Sequence, residues 1–495
     1  MIYDVIVVGA GPGGSSAANF LARQGVKVLL LDKSAFPRDK VCGDGMTPQA
    51  VYWLGRLGCA EEVLAHTKGC IKSADIIINK EHVLSGGYPG DTRYPDFAIL
   101  LDRRRFDNIL LEHAIALGAE FRPRTMVRDV VCSDDGYVRV LADQGRERTE
   151  YHGRIVVGAD GVSSAVSRAM GNTLKAGVLA VSMRAYYRNA RCDGARMKVY
   201  FDRDYFPGYG WLFVDDEGFA NVGLGCLNDK LFPMPDNLGA LFRRFVATDL
   251  AGVLDKATPC GSVSGGSSGF FRPKAIVGER AMLIGDAANQ ADPLNGGGIH
   301  KAMESAWCAA QACLTALAKN DFSLAAMRRY ETLWSQEWEA DWRTAEMFMS
   351  IAKNPSLRDF NLFLLRQMGK LTMADPKLRD FAGGVFSGVV SQNACLTPRA
   401  LYHAFPKNPD AWISLLKSNG REINGGLAAG AAHLAHGVIT NAARAAAGVM
   451  SNPIANADWG MEMVAKAARL ADHRLAQPGR PLMAREAAAS WSDSG

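Results

Sequence analysis

The stretch from Tyr3 to Asp32 most constrains what this chain can fold into. Tyr3 to Val8 reads as a short buried strand centred on Val5-Ile6-Val7-Val8. Gly9-Ala10-Gly11-Pro12-Gly13-Gly14 follows without a spacer, and Ser15 to Gln24 then reads as a helix with Ala17, Ala18, Phe20 and Leu21 available for packing. Gly25 closes the helix, and Val26 to Leu31 forms a second strand ending on Asp32. Strand, glycine turn, helix, strand and acid in this order predict a Rossmann-type nucleotide-binding unit. Gly9 permits the tight turn, Gly11 lets the backbone approach a pyrophosphate, and Gly14 lets the helix sit close to the strand. Pro12 and Gly13 lie at the helix start, where unpaired N–H groups favour phosphate. Asp32, 18 residues past Gly14, suits a ribose hydroxyl, and Lys33 beside it is expected among the cofactor contacts. The motif alone does not separate FAD from NAD.

A distant segment supplies the separation. Arg280 to Ile284 reads as a strand and runs into Gly285-Asp286-Ala287-Ala288. Asp292-Pro293-Leu294-Asn295-Gly296-Gly297-Gly298-Ile299 follows, with a helix from about His300. Here the chain resembles the FAD-dependent group that includes aromatic hydroxylases, flavin halogenases and geranylgeranyl reductases. The resemblance implies FAD as cofactor, with Gly285 and Asp286 at the ribityl chain and Pro293 and Gly296 to Ile299 facing the pyrimidine edge of the flavin. Elementary electrostatics agrees, because N–H groups at a helix start stabilise negative charge near that edge. Leu101-Asp102-Arg103-Arg104-Arg105-Phe106-Asp107, ahead of a helix over about Ile109 to Leu117, resembles the group's Arg-x-x-Phe-Asp element. That implies Arg103 at the cofactor; Arg104 and Arg105 also fit a solvated helix start. Ile155-Val156-Val157-Gly158-Ala159-Asp160-Gly161 resembles the second fingerprint, which implies Asp160 near the flavin diphosphate.

The expected fold class is α/β: a Rossmann-type FAD-binding domain with an inserted antiparallel sheet substrate domain and a C-terminal helical region. The FAD-binding domain is expected from 1–68, 100–172 and 272–325, the sheet domain from 69–99 and 173–271, and the helical region from 326–495. Strand character marks Ala74 to Leu84, Val178 to Tyr187 and Arg196 to Phe201, with a hairpin over Leu212 to Leu224 turning at Asp215-Asp216-Glu217-Gly218. Tyr330, Trp334, Trp338 and Trp342 recur every four residues, so a helix face packed against the body is expected. Residues 425–450, rich in Ala and Gly, predict helices joined by glycine turns. The tail from Leu475 is expected to fray.

Lys40-Val41-Cys42-Gly43-Asp44-Gly45-Met46-Thr47-Pro48 narrows the resemblance to the geranylgeranyl reductase family, whose members carry a similar cysteine-glycine stretch beside the flavin. The family's Pro-x-x-Tyr-x-Trp-x-Phe-Pro stretch partly matches Gly208-Tyr209-Gly210-Trp211-Leu212-Phe213-Val214. The first proline, Pro207, stands one position too close, and Val214 replaces the last. The resemblance covers roughly residues 1 to 415. It implies reduction of carbon–carbon double bonds in a polyprenyl chain or a prenylated lipid or quinone. Tyr209 and Trp211 alternate on a strand and can share one side. They are the catalytic candidates with Cys42, while Gly43, Asp44 and Phe213 are candidates for substrate contact. The three aromatics also fit ordinary sheet core, Cys42 also fits packing against substrate, and Asp44 also fits a purely loop-holding role. The alternative activity is an FAD-dependent monooxygenase acting on an aromatic small molecule. A hydroxylase fits better than a halogenase, because a Trp-x-Trp-x-Ile-Pro stretch is missing.

Composition bounds the rest. The 495 residues are 48% apolar or aromatic, enough for two or three structural units. The formal charge of +5 is small for this length, and no basic run interleaved with aromatics suggests nucleic acid. The ten cysteines include no Cys-x-x-Cys pair, so neither a metal site nor a disulfide framework is expected. Met-Ile-Tyr-Asp enters a strand at once, no leader is read, and no apolar window spans a membrane. The expected location is cytoplasmic, with peripheral contact at the inner face of the membrane in view. No second nucleotide fingerprint marks an electron donor, which leaves transiently bound NAD(P)H or a reduced electron-carrier protein.

Overall fold

The computed structural model describes residues 1–132, 136–173, 178–229, 237–269, 275–396 and 409–476. Its first sheet is built on fully buried apolar runs. Ile2–Val8 lies centrally, paired in parallel with Val28–Leu31 on one side and with the end of Glu147–Gly158 on the other. Across this sheet the strands run Val277–Gly278, Ala281–Leu283, Glu147–Gly158, Ile2–Val8, Val28–Leu31 and Glu120–Arg122. Runs buried on both faces need cover on both faces. Helices Pro12–Ala22 and Ile299–Lys319 cover one, packing Ala17, Ala18 and Leu21 with Ala306, Ala309 and Ala310. The other face is covered by a meander, Thr125–Cys132 and Val138–Gln144, which buries Val138, Val140 and Ala142 against Ile6, Leu29 and Val156. The sequence reading placed a strand only at Ile155 to Val157 here. The longer strand escapes an apolar search because its first half carries Glu147, Arg148, Glu150 and His152.

The second sheet has the order Thr258–Gly269, Val178–Arg188, Ala220–Asp229, Tyr209–Val214, Arg196–Phe201, Ser73–Ile78 and Glu81–Gly87. It departs from the expected antiparallel sheet at one pair: Arg196–Phe201 runs parallel to Ser73–Ile78. These strands are joined through the nucleotide-binding unit, so no hairpin forces them to oppose. Helix Leu238–Thr248 covers one face, with Leu241, Phe242 and Phe245 on Leu212, Val222 and Leu224. Strand alternation then turns Tyr209, Trp211 and Phe213 to the other face, towards the nucleotide-binding unit.

Beyond residue 320 the described chain is helical, from Leu324–Ala352 to Pro453–Ala476. Tyr330, Trp334, Trp338 and Trp342 are all buried, as helix packing requires, and the Lys301 ammonium sits 2.7 Å from the Trp338 ring centre. The glycine-broken helices expected over 425–450 are instead one helix, Leu427–Ser451. Gly430, Gly437 and Gly448 lie inside it because each lets a neighbour approach: a Cβ on them would meet the Leu416 carbonyl, the Phe363 ring and Ser356. Tertiary contact there outweighs helix propensity. The tail expected to fray lies, past Ala476, outside the described residues. Among the described residues no helix is long and apolar enough to cross a membrane.

Candidate active site

One cleft of about 580 Å³ lies between the two sheets, and the segments that are far apart in sequence meet in it. Gly9, Gly11, Pro12 and Gly13 line it with Asp32 and Lys33; so do Gly285, Asp286, Pro293, Gly296, Gly298 and Ile299 from the distant segment. Arg103, Asp160, Cys42, Gly43, Tyr209 and Trp211 complete the wall among the residues singled out in the sequence. Gly14, Gly297, Asp44 and Phe213 do not border it.

The turn after the first strand is made by close backbone approach. Gly9 has φ +99°, and a Cβ on Gly14 would stand 1.7 Å from the Gly9 carbonyl oxygen. Gly11 differs, since a Cβ there would touch only Arg38 Nη2 at 3.5 Å, which leaves its backbone open to the cleft. Asp32 accepts the Ala10 N–H at 2.8 Å and the Ser34 N–H at 2.7 Å, and so ties the turn to the second strand. Helices Pro12–Ala22 and Ile299–Lys319 both start at the cleft without a side-chain cap. Two bare helix N-termini aimed into one cavity suit a phosphate at one and the electron-rich edge of a flavin at the other. The residues present therefore fit FAD.

Several charged groups of the cleft are held by protein partners. Arg103 is buried and binds Asp107 through two 2.7 Å hydrogen bonds; its guanidinium also faces the Cys42 thiol. Arg38, which the sequence reading missed, holds the same carboxylate at 2.7 Å. Asp160 is turned to the start of helix Ala165–Ala169, accepting from Ser164 Oγ at 2.5 Å and the Ala165 N–H at 2.6 Å. Asp286 pairs with Lys40 at 3.1 Å, and that ammonium holds its carboxyl below the usual range. His300 is buried beside Thr47, 3.2 Å from its hydroxyl; burial and Lys301 press its pKa well down, so the ring is neutral.

The Cys42 turn meets the sheet face. Tyr209 donates its hydroxyl to the Asn295 carbonyl at 3.0 Å, and its ring centre lies 6.1 Å from that of Trp211. The Trp211 indole lies over Gly223, where a Cβ would fall 1.9 Å from the ring. Phe213 packs behind Gly43 and Gly45 rather than on the cleft. Asp44, a substrate candidate in the sequence, has no exposed surface. It accepts the Tyr186 hydroxyl at 2.5 Å and the Asn221 amide at 2.8 Å, and burial lifts its carboxyl to about 7. Tyr186 and Asn221 went unnoticed in the sequence. The available signal was a polar residue in the otherwise apolar strand Ala220-Asn221-Val222.

The fold and the cleft define an FAD-dependent oxidoreductase. The FAD binding domain family matches residues 2–209. A digeranylgeranylglycerophospholipid reductase of Methanosarcina acetivorans is 33% identical over 349 residues, 68% of this chain and 81% of the relative. A menaquinone reductase of Mycolicibacterium smegmatis is 32% identical, covering 65% and 78%. On this similarity the chain belongs to the geranylgeranyl reductase family of FAD-dependent oxidoreductases. Among solved structures, a geranylgeranyl bacteriochlorophyll reductase-like protein from Thermoplasma acidophilum superposes with TM-score 0.63 at 24% identity, over 83% of this chain and 97% of that one. A flavin-dependent brominase superposes at 0.65 with 20% identity, covering 82% of this chain and 100% of that one. These superpositions establish the shared fold.

Proposed function

We propose that this enzyme saturates carbon–carbon double bonds in the polyprenyl chain of a lipid or quinone. The observation that carries the reading is the meeting of the Cys42 turn with Tyr209 and Trp211 at one cleft. The printed activities of the Methanosarcina and Mycolicibacterium relatives support it. Bound FAD supplies the hydride equivalent. The chain's own residues do the rest. An isolated alkene accepts hydride poorly, so the carbon that becomes electron-deficient needs stabilisation and the other carbon needs a proton. The Tyr209 and Trp211 rings offer π-faces to developing positive charge and exclude water. Cys42 holds a transferable proton at Sγ, and the Arg103 guanidinium faces that sulfur. Gly43 keeps the turn thin enough to lie against Phe213 and Trp211. NAD(P)H docking transiently, or a reduced carrier protein, delivers the electrons, and a lipid substrate brings the enzyme to the inner face of the membrane.

The test is anaerobic. The FAD-loaded enzyme is reduced and mixed separately with prenylated lipids, prenylated quinones and aromatic small molecules. The reading expects a prenyl compound to reoxidise the flavin without oxygen and to gain two hydrogens in its tail. Turnover only with oxygen, and an oxygen atom in an aromatic product, would replace the reading with a hydroxylase.

A further inference from the structure

Two side chains behind the cleft wall join its two halves. Asn221 is fully buried on the sheet strand beside Tyr209–Val214. Its amide nitrogen donates to the Cys42 carbonyl at 2.7 Å and to Asp44 Oδ2 at 2.8 Å, and its oxygen accepts the Trp211 indole N–H at 2.8 Å. The amide's orientation is dictated, because a carbonyl can only accept and an indole N–H can only donate. Both amide hydrogens and the amide oxygen are thus committed, one arm to each of three residues.

Other ties hold the neighbours of Cys42: Lys40 pairs with Asp286, the Leu101 N–H donates to the Asp44 carbonyl at 3.3 Å, and Gly45–Met46 pairs with Ile99–Leu100, while the Asn221 amide grips the Cys42 carbonyl itself. Gly43 and Gly45 flank Asp44, and Asp44 itself adopts φ +62°, a left-handed conformation that costs a non-glycine residue energy. Its carboxyl is the anchor that keeps it so, taking Tyr186 on one side and Asn221 on the other. Upstream, Asp39 pairs with Arg184 at 2.8 Å, and the Arg184 guanidinium lies 3.9 Å above the Tyr186 ring. The Asp39 and Asp44 ties run from the loop 39–44 to the sheet, where Arg184 and Tyr186 share one strand.

We propose that Asn221 is a positioning residue: it fixes the Cys42 turn against Trp211 through a three-way clasp anchored by Asp44. It touches neither cleft nor substrate and acts through where Cys42 and Trp211 sit. The inference deepens the reductase reading and rests on it for its kinetic consequence, while the clasp itself can be tested without any substrate.

The experiment uses the full-length, FAD-loaded enzyme and two readouts. One is the rate at which iodoacetamide alkylates Cys42, followed on its own peptide by mass spectrometry. The other is kcat and KM with the prenyl substrate. Asn221→Ala is expected to raise Cys42 alkylation several-fold and to lower kcat by at least about tenfold with KM little changed, since misplacing a reacting group by about 1 Å has effects of that order or larger. Asp44→Ala is expected to do the same, and Asp44→Asn, which still offers an acceptor oxygen, to recover most of both losses. If Asn221→Ala loses its flavin, Asn221→Ser carries the same comparison. A wild-type alkylation rate in Asn221→Ala or Asn221→Ser overturns the clasp. So does an Asp44→Asn enzyme as damaged as Asp44→Ala, because the effect then belongs to the Asp44 proton. If the wild-type enzyme reduces no prenyl compound, the reductase reading falls, and the alkylation rates alone decide the clasp.

Discussion

Asp44→Asn should change how stability depends on pH. Asp44 is fully buried, and burial raises its carboxyl from 3.8 to about 7 against the opposing pull of Tyr186, Asn221, Arg184 and Arg103. Its Oδ1 has no hydrogen-bond partner, which makes the ionised form costly. In the unfolded chain the carboxyl ionises near its ordinary value. Between the two values the folded protein keeps a proton that the unfolded chain has released, so folding is favoured by acid over this range. The Asp44 contribution is fully present below the unfolded pKa and is lost as pH rises through the folded one. At about 1.4 kcal/mol per pH unit, raising the pH from 5 to 8 should cost the wild-type protein about 3 kcal/mol that Asp44→Asn does not lose. For a cooperative unit of about 200 residues that is a difference of roughly 6 to 12 °C in Tm. Thermal unfolding followed by far-UV circular dichroism at both pH values gives the double difference, in which every other titrating group cancels. Two proteins losing stability in parallel over this range would show that Asp44 ionises normally and that its burial does not act as described.

Gly14→Ala should strip the protein of flavin, because its Cβ would fall 1.7 Å from the Gly9 carbonyl oxygen and the helix must leave the strand; flavin per chain after desalting measures this. Trp338→Ala should cost about 3 to 5 kcal/mol in urea unfolding, from a core cavity and from the Lys301 ammonium left with only the more distant Trp334 ring, 5.9 Å away. Tyr209→Phe removes the hydrogen bond to the Asn295 carbonyl, worth about 1 kcal/mol, and should lower kcat while flavin content, read from its absorbance, stays at the wild-type level.

What the sequence disclosed about the cofactor cleft was local backbone necessity. A glycine at φ +99° beside a carbonyl, or one whose Cβ would overlap its neighbour's oxygen, admits no other residue, so Gly9 and Gly14 announce their geometry without a structure. Gly296 is local only in its φ of +71°, since the Tyr209 Oη that stands 2.5 Å from where its Cβ would be belongs to the other sheet. Gly430 and Gly437 show the converse. They obey the same steric rule, but the crowding comes from Leu416 and Phe363, more than ten residues away, and the sequence reading took them for helix breakers. The long strand Glu147–Gly158 was half hidden for a related reason: only its second half is buried on both faces, and the exposed half carries charges that mask its alternation.

The substrate side of the cleft was less legible because its geometry is held by side chains crossing between units. Tyr209 and Trp211 were readable as a pair from strand alternation alone, yet nothing local says which face of the strand meets the cofactor. That is decided by Gly210 admitting the Phe245 ring on the opposite face, and by Gly223 leaving room for the indole on this one. Asp44 shows why a motif leaves two roles open, substrate contact and loop holding. In the chain it sits two residues from a candidate proton donor and resembles a substrate contact. In the fold it is fully buried, and its two bonded partners lie 142 and 177 residues away. A carboxyl in that setting orders the loop rather than the ligand. Enzymes that share this cofactor fold can therefore differ in chemistry without altering a single glycine of the nucleotide motif, provided the loop 39–44 and the sheet face beneath it are tied together differently.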